Sequence, residues 1–121
     1  MTIYSTSQGI RKPLRKKLTT NTATTIYTGG SAKAYIETLH FTNITGTAAT
    51  IDVFINDGTS DFYILLEYSI AAKGTSASRL HLTDIPFDIN NGDTLKVTAG
   101  TANAIDMLGT LILQGGQSQG G

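Results

Sequence analysis

The 121 residues include no cysteine and no tryptophan, and only two prolines. Without cysteine, neither a disulfide nor a thiolate metal site can support the fold. Stability must come from packing, and from association with other chains. The missing tryptophan removes the strongest platform for stacking a sugar. The five tyrosines (Tyr4, Tyr27, Tyr35, Tyr63, Tyr68) are a weaker one, and burial is their commoner use. No stretch approaches the roughly eighteen apolar residues of a membrane span. The start, Met1-Thr2-Ile3-Tyr4-Ser5, lacks the apolar run of a signal peptide. The expectation is a chain made in a cytoplasm and soluble there, with no membrane partner.

Acid is missing too, but only locally. No aspartate or glutamate precedes Glu37, while Arg11, Lys12, Arg15, Lys16 and Lys17 are five of the nine basic residues. Residues 1–20 therefore carry about +5 and the rest about −5, which sum to the net charge of zero. Residues 1–20 read as a basic arm, 21–114 as one domain and 115–121, Gly-Gly-Gln-Ser-Gln-Gly-Gly, as a flexible tail. A body of that size buries roughly 60–65% of its unfolded surface, enough for one modest core.

What is abundant points to β structure. Twenty threonines and thirteen glycines dominate, with isoleucine, valine and tyrosine between turn clusters. Strand-like runs are expected at 22–28, 34–44, 49–56, 62–68, 78–85, 94–98 and 104–114. In the second run, Tyr35, Leu39 and Phe41 are placed on one face and Ile36, Thr38, His40 and Thr42 on the other, with Glu37 interrupting. Asn56-Asp57-Gly58-Thr59-Ser60 between two apolar runs signals a hairpin. Pro86 ends its strand or puts it on a sheet edge, and Gly109 marks a bulge or a close neighbour. Seven or eight short strands at this spacing predict an all-β fold, a single β-sandwich or jelly-roll domain with an extended N-terminal arm.

Catalytic chemistry finds no support. His40 and His81 sit mid-strand, and nothing in their spacing requires a carboxylate nearby, so no metal site is expected. Ser76 or Ser78, His81 and Asp84 make a triad only on paper, without a Gly-x-Ser-x-Gly elbow. The loop from Asn56 to Asp61 lacks the twelve-residue pattern and closing glutamate of a calcium loop. Gly29-Gly30-Ser31 precedes a strand, so no helix N-terminus is available for a phosphate. No catalytic residue, metal or cofactor is expected.

The arm carries the binding chemistry. Arg11, Lys12, Arg15, Lys16 and Lys17 could grip phosphates, but an acidic body repels a polyanion and no aromatic is interleaved for base stacking. The run after Lys17, Leu18-Thr19-Thr20-Asn21-Thr22, is strand-capable. Docking on a protein neighbour, often a copy of the same chain, is therefore expected over nucleic acid.

Three blocks add a resemblance. They are Ala34 to Gly58, with the turn Thr42-Asn43-Ile44-Thr45-Gly46-Thr47; Ile85 to Ala99, with Asn90-Asn91-Gly92-Asp93-Thr94-Leu95; and Ala102-Asn103-Ala104-Ile105-Asp106. In this order they resemble small bacteriophage virion proteins and cover most of residues 22–114, leaving the arm outside. The resemblance implies a non-enzymatic structural part of a virion: a capsid decoration or minor capsid-associated protein, or else a neck, tail or fibre-attachment component. Its partners would be other virion proteins and copies of itself, arranged around a threefold axis. A carbohydrate-binding β-sandwich using loop Tyr and Asp/Asn is the alternative from another class.

Overall fold

The computed structural model describes residues 9–114, apart from the side chains of Asp84 and Pro86. Eight strands follow in order: β1 (Ile10–Leu18), β2 (Thr24–Thr28), β3 (Lys33–Asn43), β4 (Ala49–Asn56), β5 (Asp61–Ile70), β6 (Arg79–Ile89), β7 (Thr94–Ala99) and β8 (Ile105–Gln114). They build two four-stranded antiparallel sheets, ordered β1-β8-β3-β6 and β2-β7-β4-β5. Every connection changes sheet except the β4–β5 hairpin. The fold is therefore an all-β sandwich.

Period-two alternation explains the core. In β7, Leu95, Val97 and Ala99 are buried while their neighbours are half-buried; in β8, Ile105, Met107 and Leu111 point inward. They meet Ile51 and Val53 of β4 and Leu39 and Phe41 of β3 between the sheets. Gly109 lies between Leu14 of β1 and Leu39 of β3 in the ladder. A Cβ there would stand 2.8 Å from the Thr38 carbonyl oxygen and 2.9 Å from Leu39 Cδ2, so the close neighbour expected at this glycine is the β3 backbone.

Two expectations are corrected. Residues 10–18 are not an arm outside the body. They form β1, paired along its whole length with β8, from Ile10↔Leu113 to Leu18↔Ile105. The reason is apolar spacing: Leu14 and Leu18, four residues apart, point into the core and are both buried. The Asn103 N–H also donates to the Leu18 carbonyl oxygen at 3.0 Å, locking the strand end. Residues 1–8 and the tail at 115–121 lie outside the described residues.

The second correction concerns β3. The β3–β8 register shifts between Ile36 and Thr38, a bulge at Glu37. One extra residue reverses parity. Ala34 and Ile36 therefore share the core face with Leu39 and Phe41, and Tyr35 moves to the outer face with Thr38, His40 and Thr42. Of the alternatives for Pro86, the edge holds: β6 runs through it and ends its sheet.

One polar side chain is fully buried and fully used. Asn43 Nδ2 donates to the Thr47 carbonyl at 2.8 Å and to the Ile70 carbonyl at 3.1 Å. Its Oδ1 accepts from the Thr45 N–H at 2.9 Å and the Thr45 hydroxyl at 2.7 Å. The side chain thus ties the β3–β4 turn to the end of β5.

Two substitutions check this account. Leu18→Ala should lower unfolding free energy by about 3 kcal/mol in a denaturant titration, as for a core leucine; a detachable arm would give no change. Asn43→Ala leaves two carbonyls short of a donor and should cost about 3 kcal/mol in the same measurement.

Candidate functional site

The residues with binding chemistry are distributed over three surfaces: the β1 edge, the outer face of the β1-β8-β3-β6 sheet, and the flank where β5 and β6 end their sheets.

On β1, Arg11, Pro13, Arg15 and Lys17 alternate with inward Leu14 and Leu18 and face outward. Lys12 and Lys16 share the parity of the leucines but stay exposed at the sheet edge, where a lysine keeps its head in water. The chain's own acids engage two of the five basic residues. Arg11 donates in fork fashion to Glu37, Nε to Oε1 at 3.1 Å and Nη2 to Oε2 at 2.8 Å. Lys17 Nζ meets both oxygens of Asp106 at 3.0 and 3.1 Å. Such exposed pairs orient side chains more than they stabilise the fold. Lys12, Arg15 and Lys16 have no ion pair among the described residues.

The ladder lines up three outward rows across the four strands: Lys17–Asp106–Thr42–Arg79, Arg15–Leu108–His40–His81, and Pro13–Thr110–Thr38–Thr83. Nothing local to either histidine marks the two as partners, because 40 residues separate them along the chain. Register makes them a cross-strand pair, with ring centroids 5.3 Å apart and ring planes at 27°. Burial, His81 and Arg79, in that order, hold His40 below the ordinary histidine value of 6.5. Arg15 lines the same shallow depression as both rings. The charged surroundings are therefore cationic, which disfavours a metal ion, and among the described residues no three potential ligands converge.

The remaining paper motifs resolve into turn chemistry. Ser78 Oγ donates to the Thr75 carbonyl at 2.7 Å, not to His81. Asp57 Oδ1 accepts from the N–H groups of Ser60 at 2.8 Å and Thr59 at 2.9 Å, and these bonds hold its carboxyl below the usual range. Asn56 Oδ1 accepts from the Gly58 N–H at 2.8 Å, and Gly58 takes φ +98°, as a tight loop between β4 and β5 requires.

The third surface was not singled out in the sequence. β5 ends its sheet and carries Phe62, Tyr63, Leu66 and Tyr68 exposed; Phe62 and Leu66 are 58% and 60% accessible. Phe87 of β6 is exposed across from it. Ile55, Phe62, Tyr63, Ile64 and Phe87 line an apolar groove of about 340 Å³. The available signal was the uninterrupted run Phe62-Tyr63-Ile64-Leu65-Leu66, which is apolar on both faces of a strand.

No family model matches the chain, and no curated protein matches it. Solved structures similar to it include two, each of a pentameric capsid protein isolated from metagenomic phage sequences. The first is 17% identical over 93% of this chain and 70% of the other, with a TM-score of 0.47. The second is 19% identical over 93% and 64%, with a TM-score of 0.41.

The histidine pair makes a pH prediction. With its folded-state value depressed, His40 binds fewer protons folded than unfolded in the window below pH 6.5. Its contribution to stability is fully present above 6.5 and is lost as pH falls through the folded value. NMR titration should place the His40 midpoint below 6.5, and His81→Ala should move it upward. A His40 midpoint at or above the free value would remove the pairing effect.

Proposed function

We propose that this chain is a non-enzymatic structural component of a phage virion, a capsid decoration or minor capsid-associated protein that acts by self-association. The observation that carries the reading is the pair of unlike edges on one small sandwich: a basic β1 edge and a long apolar β5 edge that water does not suit. The strand order β1-β8-β3-β6 facing β2-β7-β4-β5 is read as a jelly roll, an architecture common in capsid proteins. The three-block resemblance to small virion proteins supports the same role.

The binding residues of this reading are Arg11, Lys12, Arg15, Lys16 and Lys17, presented on the β1 edge and not on a free strap. Lys12, Arg15 and Lys16 are the ones left for a partner. A neck, tail or fibre-attachment position uses the same surfaces and differs only in where the partner sits. A carbohydrate-binding module fits less well, because among the described residues the only polar side chain lining the groove is Tyr63, where a sugar needs several polar partners.

Mass spectrometry of purified particles of the phage that encodes the chain tests the reading. The protein should be recovered in fixed proportion to the major capsid subunit. A chain found only in the soluble fraction of the lysate would overturn it.

A further inference from the structure

The β5–β6 flank needs a cover. β5 is a ten-residue edge strand without a proline or lysine, the usual devices that keep such an edge from pairing. It bulges at Glu67, where φ is +51° and the N–H donates to Asp52 Oδ1 at 2.6 Å, and its register against β4 shifts again between Val53 and Phe54. Above that bulge and below it, Phe62, Tyr63, Leu66 and Tyr68 stay in water.

The charges name the occupant. Residues 49–89, which build β4, β5 and β6, hold six of the nine acids and only two of the nine basic residues. On β5 itself, Asp61 and Glu67 are exposed and have no ion pair among the described residues. The β1 edge lies at the opposite end of its sheet from β6 and carries the basic cluster. It also offers an apolar group, Ile10, which is 67% exposed at the start of β1. Two β5 flanks facing each other would bring like charge together. A β1 edge facing a β5 flank brings opposite charge together.

We infer that the β5–β6 flank of one copy is covered by the basic β1 edge of a second copy, in a head-to-tail contact. The inference rests on the self-association proposed above and names its two surfaces. Lys12, Arg15 and Lys16 meet Asp61 and Glu67 at the rim, and Ile10 meets the groove of Phe62 and Phe87. Pro13 and the lysines blunt β1 against adding a strand to a neighbour's ladder, so side chains make the contact. Unlike patches on one subunit generate a ring when the rotation closes and a filament when it does not.

Native mass spectrometry and light scattering on the full chain test the contact. Wild type should be a multimer whose association weakens as salt rises from about 0.05 to about 0.5 M. Lys12→Glu with Lys16→Glu should lower association at least about tenfold, and Asp61→Lys with Glu67→Lys should do the same. The chain carrying all four changes should associate again, a result that misfolding cannot produce. Phe62→Ser with Leu66→Ser should also give monomers, with the thermal midpoint retained. A monomeric wild type overturns the inference, and so does a four-fold variant that stays apart. Loss from the β5 changes alone, with the β1 changes silent, would mean that the flank pairs with itself around a twofold axis. If removing residues 1–8 abolishes association while Lys12→Glu/Lys16→Glu does not, the amino-terminal segment fills the groove instead. Solution mass and recovery in particles are separate measurements, so this contact and the virion role can fail independently.

Discussion

Backbone hydrogen bonding at sheet edges is the constraint on which the rest of this structure depends. Two open sheets have four edge strands: β1 and β6 in one, β2 and β5 in the other. Each presents a row of donors and acceptors that water, a side chain or another strand must satisfy. The chain treats them differently. β1 is charged and contains Pro13; β6 contains Pro86; β2 has only five residues; β5 is long and apolar. Three edges are guarded by charge, proline or shortness, whereas β5 relies on bulges alone and has neither proline nor lysine.

Charge separation follows the same division. The net charge of zero conceals a basic strand at one side of the sandwich and acidic strands at the other. Internal pairing consumes part of the basic set, since Glu37 takes Arg11 and Asp106 takes Lys17. Those two pairs lie on the outer face of the sheet. They leave the edge lysines, and Arg15 beside the histidine row, with charge to spare. Exposed charges act mainly by steering and orienting, so their placement contributes little to how the chain folds.

The interior is held by means that do not compete with that surface. The core is aliphatic with a single large aromatic, Phe41, among its fully buried side chains. The buried Asn43 makes four hydrogen bonds and fixes where β3 leaves one sheet for the other. The Thr-Gly-Thr turn that follows supplies two of its partners, Thr45 and Thr47. The segment quoted for its resemblance to virion proteins is thus also a working joint of the sandwich.

Local chemistry alone determined much of this. Alternation and turn residues placed seven strands within a few residues of their observed bounds. Asp57 and Gly58 marked the hairpin. Three features had to wait for the tertiary fold. Leu14 and Leu18 are only two apolar residues in a charged run, so a strand and a free arm read alike until β8, about ninety residues onward, supplies the ladder. The bulge at Glu37 reverses which of Tyr35 and Ile36 is buried, and a one-residue slip leaves no mark on composition. Register alone brings His40 to His81, and strand order alone decides that β5 stands at an edge. Which segments become strands is legible in the residues alone, because side-chain alternation is local. Which strands become edges is settled by ladder pairing, a long-range choice between segments far apart in the chain.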